Sequence, residues 1–203
     1  MAAAALAGGV LSACVPLAIG GAVGAAAVAV DRRSVGIQLE DEAIERRLNR
    51  AIYGRFKGGE EISVYVTSYN RKVLLTGQVI NEAIYREVER IAQQGENVRE
   101  VVNELQVREL SPATVRNNDI AVSGKVRAAL LKEQAVPVGA VKVTTERGIV
   151  YLLGRVTAEE GDAAARVASR VSGVNKVVKV FDYLTAEELA AIQGGGGTAP
   201  ARR

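Results

Sequence analysis

The chain spells one folding unit twice, and that repetition restricts its fold more than any other feature. Residues 64–79, reading Val-Tyr-Val-Thr-Ser-Tyr-Asn-Arg-Lys-Val-Leu-Leu-Thr-Gly-Gln-Val, align without a gap on residues 141–156, reading Val-Lys-Val-Thr-Thr-Glu-Arg-Gly-Ile-Val-Tyr-Leu-Leu-Gly-Arg-Val. Each segment reads as a strand, a tight turn at Asn70-Arg71 or Arg147-Gly148, and a second strand. The second strand closes on Gly77 or Gly154, where a residue without Cβ suits a bulge or a close backbone approach. A helix precedes each hairpin: Ile44, Leu48, Ala51 and Ile52 recur at helical spacing in the first copy, and Val122, Val126, Ala129 and Leu130 in the second. Asp41 and Asp119 head these helices and are expected to cap their first turns. A second amphipathic helix (83–94 and 159–171) and an apolar strand (98–105 and 174–181) complete each copy. The crossover helix brings that last strand in parallel to a neighbour. The expected class is therefore α+β: two tandem αββαβ domains, each a three-stranded mixed sheet covered by two helices. Units this small are marginal alone, so packing between the copies is expected.

The repeat occupies residues 39–108 and 115–184, with Ser111-Pro112 marking the linker. Ahead of it, the first 30 residues contain no charged side chain. Residues 1–13 form a short apolar stretch with the small-residue ending of an export signal, although no Lys or Arg opens it. Leu11-Ser12-Ala13-Cys14 resembles the bacterial lipobox, in which diacylglycerol and an acyl chain are attached covalently to the cysteine. Several chains are what stable anchoring requires, because one acyl chain binds a bilayer only marginally. Two other readings of the segment stand beside this one. It is long enough to span a bilayer, but it is rich in Ala and Gly and holds Pro16; it could equally be an Ala-rich buried segment with a small core cysteine. Residues 14–38 then form a Gly/Ala-rich tether, in which Gly20 and Gly24 have the spacing of close-packing helices, or else a flexible spacer. Residues 185–203 read as a helical turn followed by a disordered Gly-rich tail.

The αββαβ unit, the strand ending in Leu-x-Gly and the Val-x-x-Val that begins the last strand resemble the BON domain. Two such units behind a lipobox and the segment Asp31-Arg32-Arg33-Ser34-Val35-Gly36 resemble the dual-BON outer-membrane lipoproteins of Gram-negative bacteria. Osmotically inducible soluble BON proteins are more distant, because they lack the lipobox. The resemblance implies a lipid-anchored protein facing the periplasm, supporting envelope integrity, binding anionic phospholipid through its second BON domain and performing no catalysis. Val15 is not the Asp that retains enteric lipoproteins in the inner membrane, which favours the outer membrane by analogy. The chain departs from a strong membrane binder in one respect: residues 119–133 contain no interfacial aromatic.

Composition narrows the chemistry. With no histidine and one cysteine in 203 residues there is no imidazole base, no Cys-His pair and no intramolecular disulfide. The carboxylates occur as adjacent pairs such as Glu60-Glu61 and Glu159-Glu160, which suit helix starts better than an active-site cleft. No metal site and no cofactor other than the lipid on Cys14 are expected. The net charge of +3 conceals an asymmetry: residues 39–107 carry 10 basic and 12 acidic groups, residues 115–184 carry 11 and 7. A basic second copy suits an anionic leaflet, yet it also suits a merely solvated face or attraction between the two copies. Nucleic acid is excluded as a partner, since the basic residues are interleaved with acids and lack stacking aromatics. The candidates for phospholipid contact are Val122, Lys125, Val126, Arg127 and Leu130, with Val126 and Leu130 equally suited to the core. The rival reading is a structural adaptor that binds another envelope protein, with lipid contact incidental.

Overall fold

Both hairpins turn through left-handed residues, Asn70 and Arg71 (φ 53° and 62°) in the first copy and Arg147 and Gly148 (φ 52° and 75°) in the second. Two consecutive positive φ values give the turn whose twist matches that of the flanking strands. The computed structural model describes residues 31–194. The signal segment, Cys14 and the tether up to residue 30 lie outside the described residues, as do residues 195–203 of the tail.

The first unit runs α1 (Val35–Arg55), β1 (Ile62–Tyr69), β2 (Lys72–Val79), α2 (Glu82–Gln93), β3 (Glu100–Asn103) and β4 (Gln106–Val107). The second runs α3 (Ala113–Leu130), β5 (Val141–Glu146), β6 (Ile149–Val156), α4 (Ala158–Ser169) and β7 (Lys176–Tyr183), and α5 (Ala186–Gly194) follows. In each sheet the hairpin is antiparallel and the last strand joins the central strand in parallel, in the order β1-β2-β3 and β5-β6-β7. In the first copy that last strand is broken: β3 and β4 both pair with β2, and the Asn103 carboxamide oxygen accepts the Leu105 amide between them.

The period-2 pattern of the central strands serves two cores. Val73, Leu75 and Val79 of β2 pack under α1 and α2 with Ile44, Leu48, Ile52 and Val88. Val150, Leu152 and Val156 of β6 pack under α3 and α4 with Val122, Val126, Leu130 and Ala164. The alternate residues form a third core in which Tyr69 and Leu74 of one sheet meet Tyr151, Leu153 and Val180 of the other. The two sheets therefore face each other between two outer helical layers. Each fully buried aliphatic or aromatic side chain contributes about 1.5–3 kcal/mol, so the seam is a true core.

Several expectations are corrected. Asp41 and Asp119 do not cap helices, because α1 starts at Val35 behind Ser34, and α3 starts at Ala113 behind Pro112. Both aspartates are buried in mid-helix and reach across to the hairpin turns. Asp41 accepts the amides of Asn70 and Arg71, each at 2.7 Å. Asp119 accepts those of Arg147 and Gly148 at 2.7 and 2.9 Å. Residues 35–38 are helix, not tether, and α5 is longer than a single turn. Of the candidates for lipid contact, Val122, Val126 and Leu130 are buried in the second core, the place to which Val126 and Leu130 were equally suited. The apolar stripe of α3 points inward, leaving Lys125 and Arg127 as the exposed members of that set. Gly77 and Gly154 do mark close approaches, for a Cβ on either would collide with a carbonyl, that of Ser63 on β1 or that of Ala140 just ahead of β5.

Candidate functional site: the outer face of α3 and the seam between the units

α3 covers β5 and β6 with one face and presents the other to solvent. Lys125 and Arg127 lie on or beside that outer face; Lys125 reaches the Ser172 hydroxyl at 3.5 Å and Arg127 donates to the Val143 carbonyl at 2.9 Å. Two large aliphatic side chains absent from the expected set stand exposed there, Ile120 at 60 % and Leu131 at 61 %. At 3.6 residues per turn, Arg116, Ile120, Arg127 and Leu131 fall within about 60° of one another, so cations and aliphatics alternate along one stripe. The sequence did carry the signal: Ile120 and Leu131 sit out of phase with Val122, Val126 and Leu130. Beside the stripe runs a shallow cleft of about 130 Å³ lined by Arg116, Ile120, Ser123, Arg127 and Thr144. Asp119 also borders it, but its carboxylate is already occupied by the two turn amides.

The repeat supplies an internal control. Aligning Asp41 with Asp119 sets Gln38, Glu42, Asn49 and Tyr53 of α1 against Arg116, Ile120, Arg127 and Leu131 of α3. The α1 face carries no cation at these four positions. Its one large apolar residue, Tyr53, uses its hydroxyl to donate to the Val64 carbonyl and to accept from the Val64 amide on edge strand β1.

Ion pairs across the seam decide where the charge of the second unit goes. One pair joins a base of the second unit to an acid of the first, Lys142 to Glu45 at 2.9 Å. The others run the opposite way. Asp182 of the second unit takes Arg99 at 2.7 Å and Lys72 at 3.2 Å, besides the Asn70 carboxamide at 2.8 Å. Glu160 takes Arg32, from the segment ahead of α1, at 2.6 Å. Burial raises the Asp182 pKa, but the hydrogen bonds from Asn70 and Arg99 outweigh it and hold the carboxyl below its usual range. The seam thus consumes acids of the basic unit more than its bases. Among the described residues no carboxylate forms an ion pair with Arg116, Lys125, Arg127 or Lys132. Attraction between the copies therefore does not absorb the positive charge of the second.

Two stretches of the chain, 40–109 and 118–185, match the model of the BON domain. The chain belongs to the BON-domain family. It is 39 % identical to "Outer membrane lipoprotein DolP" of Haemophilus influenzae over 174 residues, 86 % of this chain and 90 % of that protein. It is 36 % identical to the "21 kDa hemolysin" of Actinobacillus pleuropneumoniae, covering 76 % of this chain and 80 % of that one. To "Osmotically-inducible protein Y" of Escherichia coli it is 30 % identical over 70 % and 72 % of the respective chains. These relationships place this BON protein among outer-membrane lipoproteins with a role in the envelope. Among the described residues no helix is long and apolar enough to cross a membrane.

Proposed function

We propose that this BON protein is acylated on Cys14, held at the periplasmic face of the outer membrane, and docks its second BON unit on anionic phospholipid to maintain the integrity of that membrane. The outer face of α3 is the observation that supports this reading. Its exposed bases lack carboxylate partners among the described residues: Arg116 and Arg127 share a stripe with the exposed Ile120 and Leu131, while Lys125 lies on the other flank of the helix and Lys132 just beyond its end. A base near an anionic leaflet contributes about 1 kcal/mol within a Debye length. Shallowly inserted aliphatics add apolar burial in place of an interfacial aromatic. The proposal assigns lipid contact to Arg116, Ile120, Lys125, Arg127, Leu131 and Lys132, and leaves Val122, Val126 and Leu130 to the core.

Flotation of protein lacking residues 1–30 with phosphatidylcholine vesicles, with and without phosphatidylglycerol, tests the docking step. Co-flotation only with the anionic vesicles is expected. Equal binding to both compositions, or to neither, would leave the adaptor reading in its place. Intact-mass measurement of membrane-extracted protein tests the anchor, since an unmodified Cys14 thiol is incompatible with it.

A further inference from the structure

The lipid reading leaves one part of the molecule without a role. Where the two units and the linker meet, a cleft of about 230 Å³ opens, lined among others by Ser63, Tyr65, Gln78, Ser111, Arg116 and Glu146. Arg116 borders both this cleft and the shallower one along α3, so the two spaces meet at its side chain. Its guanidinium stacks 3.6 Å above the Tyr65 ring, which aims its positive charge without neutralising it.

Deeper in the cleft, Glu146 is only 6 % exposed, and Gln78 only 1 %. Gln78 donates to one carboxyl oxygen of Glu146 and accepts the Ser111 amide at 3.2 Å. The other Glu146 oxygen has no hydrogen-bond partner among the described residues and is not sealed from solvent. Ser63, the cross-strand neighbour of Gln78, and Tyr65 bring their hydroxyls within 3.4 Å of each other on β1. Burial pushes the Glu146 carboxyl up from its ordinary pKa, with the Gln78 hydrogen bond opposing it. A wall of hydroxyls, an amide and such a carboxyl offers donors and acceptors together, which is the pattern that ligand hydroxyls satisfy. The volume falls below the usual range for a drug-sized ligand, and so suits a head group and not an acyl chain.

We propose that this seam cleft receives the hydroxyl-bearing end of a phospholipid head group whose phosphate rests on Arg116, so that the first unit and the linker select which anionic lipid the second unit holds. This inference rests on the lipid reading above and assigns that reading's specificity to Ser63, Gln78 and Glu146.

The test uses the full chain carrying Cys14→Ser, which removes the acylation site, with phosphatidylcholine vesicles containing equal fractions of either phosphatidylglycerol or phosphatidylmethanol. These two lipids carry the same charge, but only the first bears head-group hydroxyls. One or two hydrogen bonds translate into about three- to tenfold tighter binding to phosphatidylglycerol. Ser63→Ala and Glu146→Leu, which remove hydrogen-bonding groups from the cleft, should abolish the preference, so that each variant binds the two anionic vesicles equally, with thermal unfolding measured alongside to show that both variants fold. Equal binding of the unsubstituted chain to the two anionic vesicles overturns the specificity cleft and leaves the lipid reading intact. Binding to neither removes the lipid reading itself. Displacement from vesicles by millimolar soluble glycerol phosphate would assign the cleft to a free polyol phosphate and overturn the head-group proposal.

Discussion

The guanidinium of Arg32 grips the carboxylate of Glu160 with two parallel hydrogen bonds, 2.6 and 2.8 Å long, from a position that is 128 residues away in the chain. Its Nη1 also donates to the Arg155 carbonyl at 2.9 Å, and the Arg155 side chain returns a bond to the Arg32 carbonyl. One residue on, Arg33 turns to the first unit, pairing with Asp41 at 2.7 Å and stacking 4.0 Å over the Tyr69 ring. The Asp-Arg-Arg segment thus holds both units where the chain enters the body.

Arg32→Ala should cost about 3 kcal/mol, because it leaves Glu160 partly buried without its cation. Arg32→Lys should recover only part of this, since an ammonium cannot make the two-pronged contact. Glu160 also accepts the Thr157 amide in a capping box at the start of α4, so Glu160→Ala should be worse than Glu160→Gln. Urea unfolding of the four variants checks the order; equal midpoints for Arg32→Ala and the unsubstituted protein would dissolve the clasp.

Asp41→Asn and Asp119→Asn should each loosen the turn that the carboxylate holds. Each substitution weakens two charge-assisted hydrogen bonds to backbone amides, and hydrogen bonds to charged groups contribute about 1.5–3 kcal/mol apiece. Hydrogen exchange should accelerate at Asn70 and Arg71 in the first variant and at Arg147 and Gly148 in the second. Acceleration confined to the first turn of α1 or α3 would restore the helix-cap reading instead.

Gly77→Ala sets the added methyl against the Ser63 carbonyl at a residue with φ +114°, so backbone must move. Gly124→Ala is the matched control: it lies in α3 with nothing within 4 Å of the added carbon, and should stabilise by about 0.5–1 kcal/mol through helix propensity. The first variant is expected to lower the melting temperature and the second to raise it.

Glu146 makes stability depend on pH. Burial raises its folded pKa above the value of 4.5 that the unfolded chain would show. The folded state therefore binds the proton more tightly, and the stability this group contributes is present below pH 4.5 and lost as pH rises through the folded pKa. Glu146→Gln keeps a partner for Gln78 but removes the titration. The variant should gain stability over the unsubstituted chain at pH 7, with the gain shrinking towards pH 4. Parallel melting curves across that range would show that Glu146 is not held protonated by its surroundings.

The αββαβ order, both turns and the two close-approach glycines were legible because each is encoded within a few neighbouring residues. The Asp41 and Asp119 contacts were not, since their partners lie 29 and 30 residues away for Asp41 and 28 and 29 for Asp119. Periodicity locates an apolar stripe but not the surface it meets, so in sequence Val126 and Leu130 suit a lipid surface as well as a core, and it is β5 and β6 beneath them that make them and Val122 core. Net charge told of a basic second unit; only the pairing of Asp182 and Glu160 across the seam shows that its bases stay outside.

Charge reversal on α3 separates a membrane-docking face from general attraction to an anionic surface. Lys125→Glu with Arg127→Glu removes two bases, each contributing about 1 kcal/mol near an anionic leaflet, so binding to phosphatidylglycerol vesicles should fall by at least about thirtyfold. Arg46→Glu with Arg50→Glu on α1 changes the net charge by the same amount on exposed residues of the other unit. If α3 is the docking helix, the α1 pair leaves binding close to that of the unsubstituted chain. The difference between the two pairs should shrink as salt is raised, because exposed charges are screened beyond about 8 Å at physiological ionic strength. Ile120→Ser with Leu131→Ser supplies the complementary loss: both residues are more than half exposed, so the fold should keep its melting temperature while the salt-resistant part of binding disappears. Equal weakening by the α1 and α3 charge pairs would mean that the chain senses the leaflet through its overall charge and has no docking face.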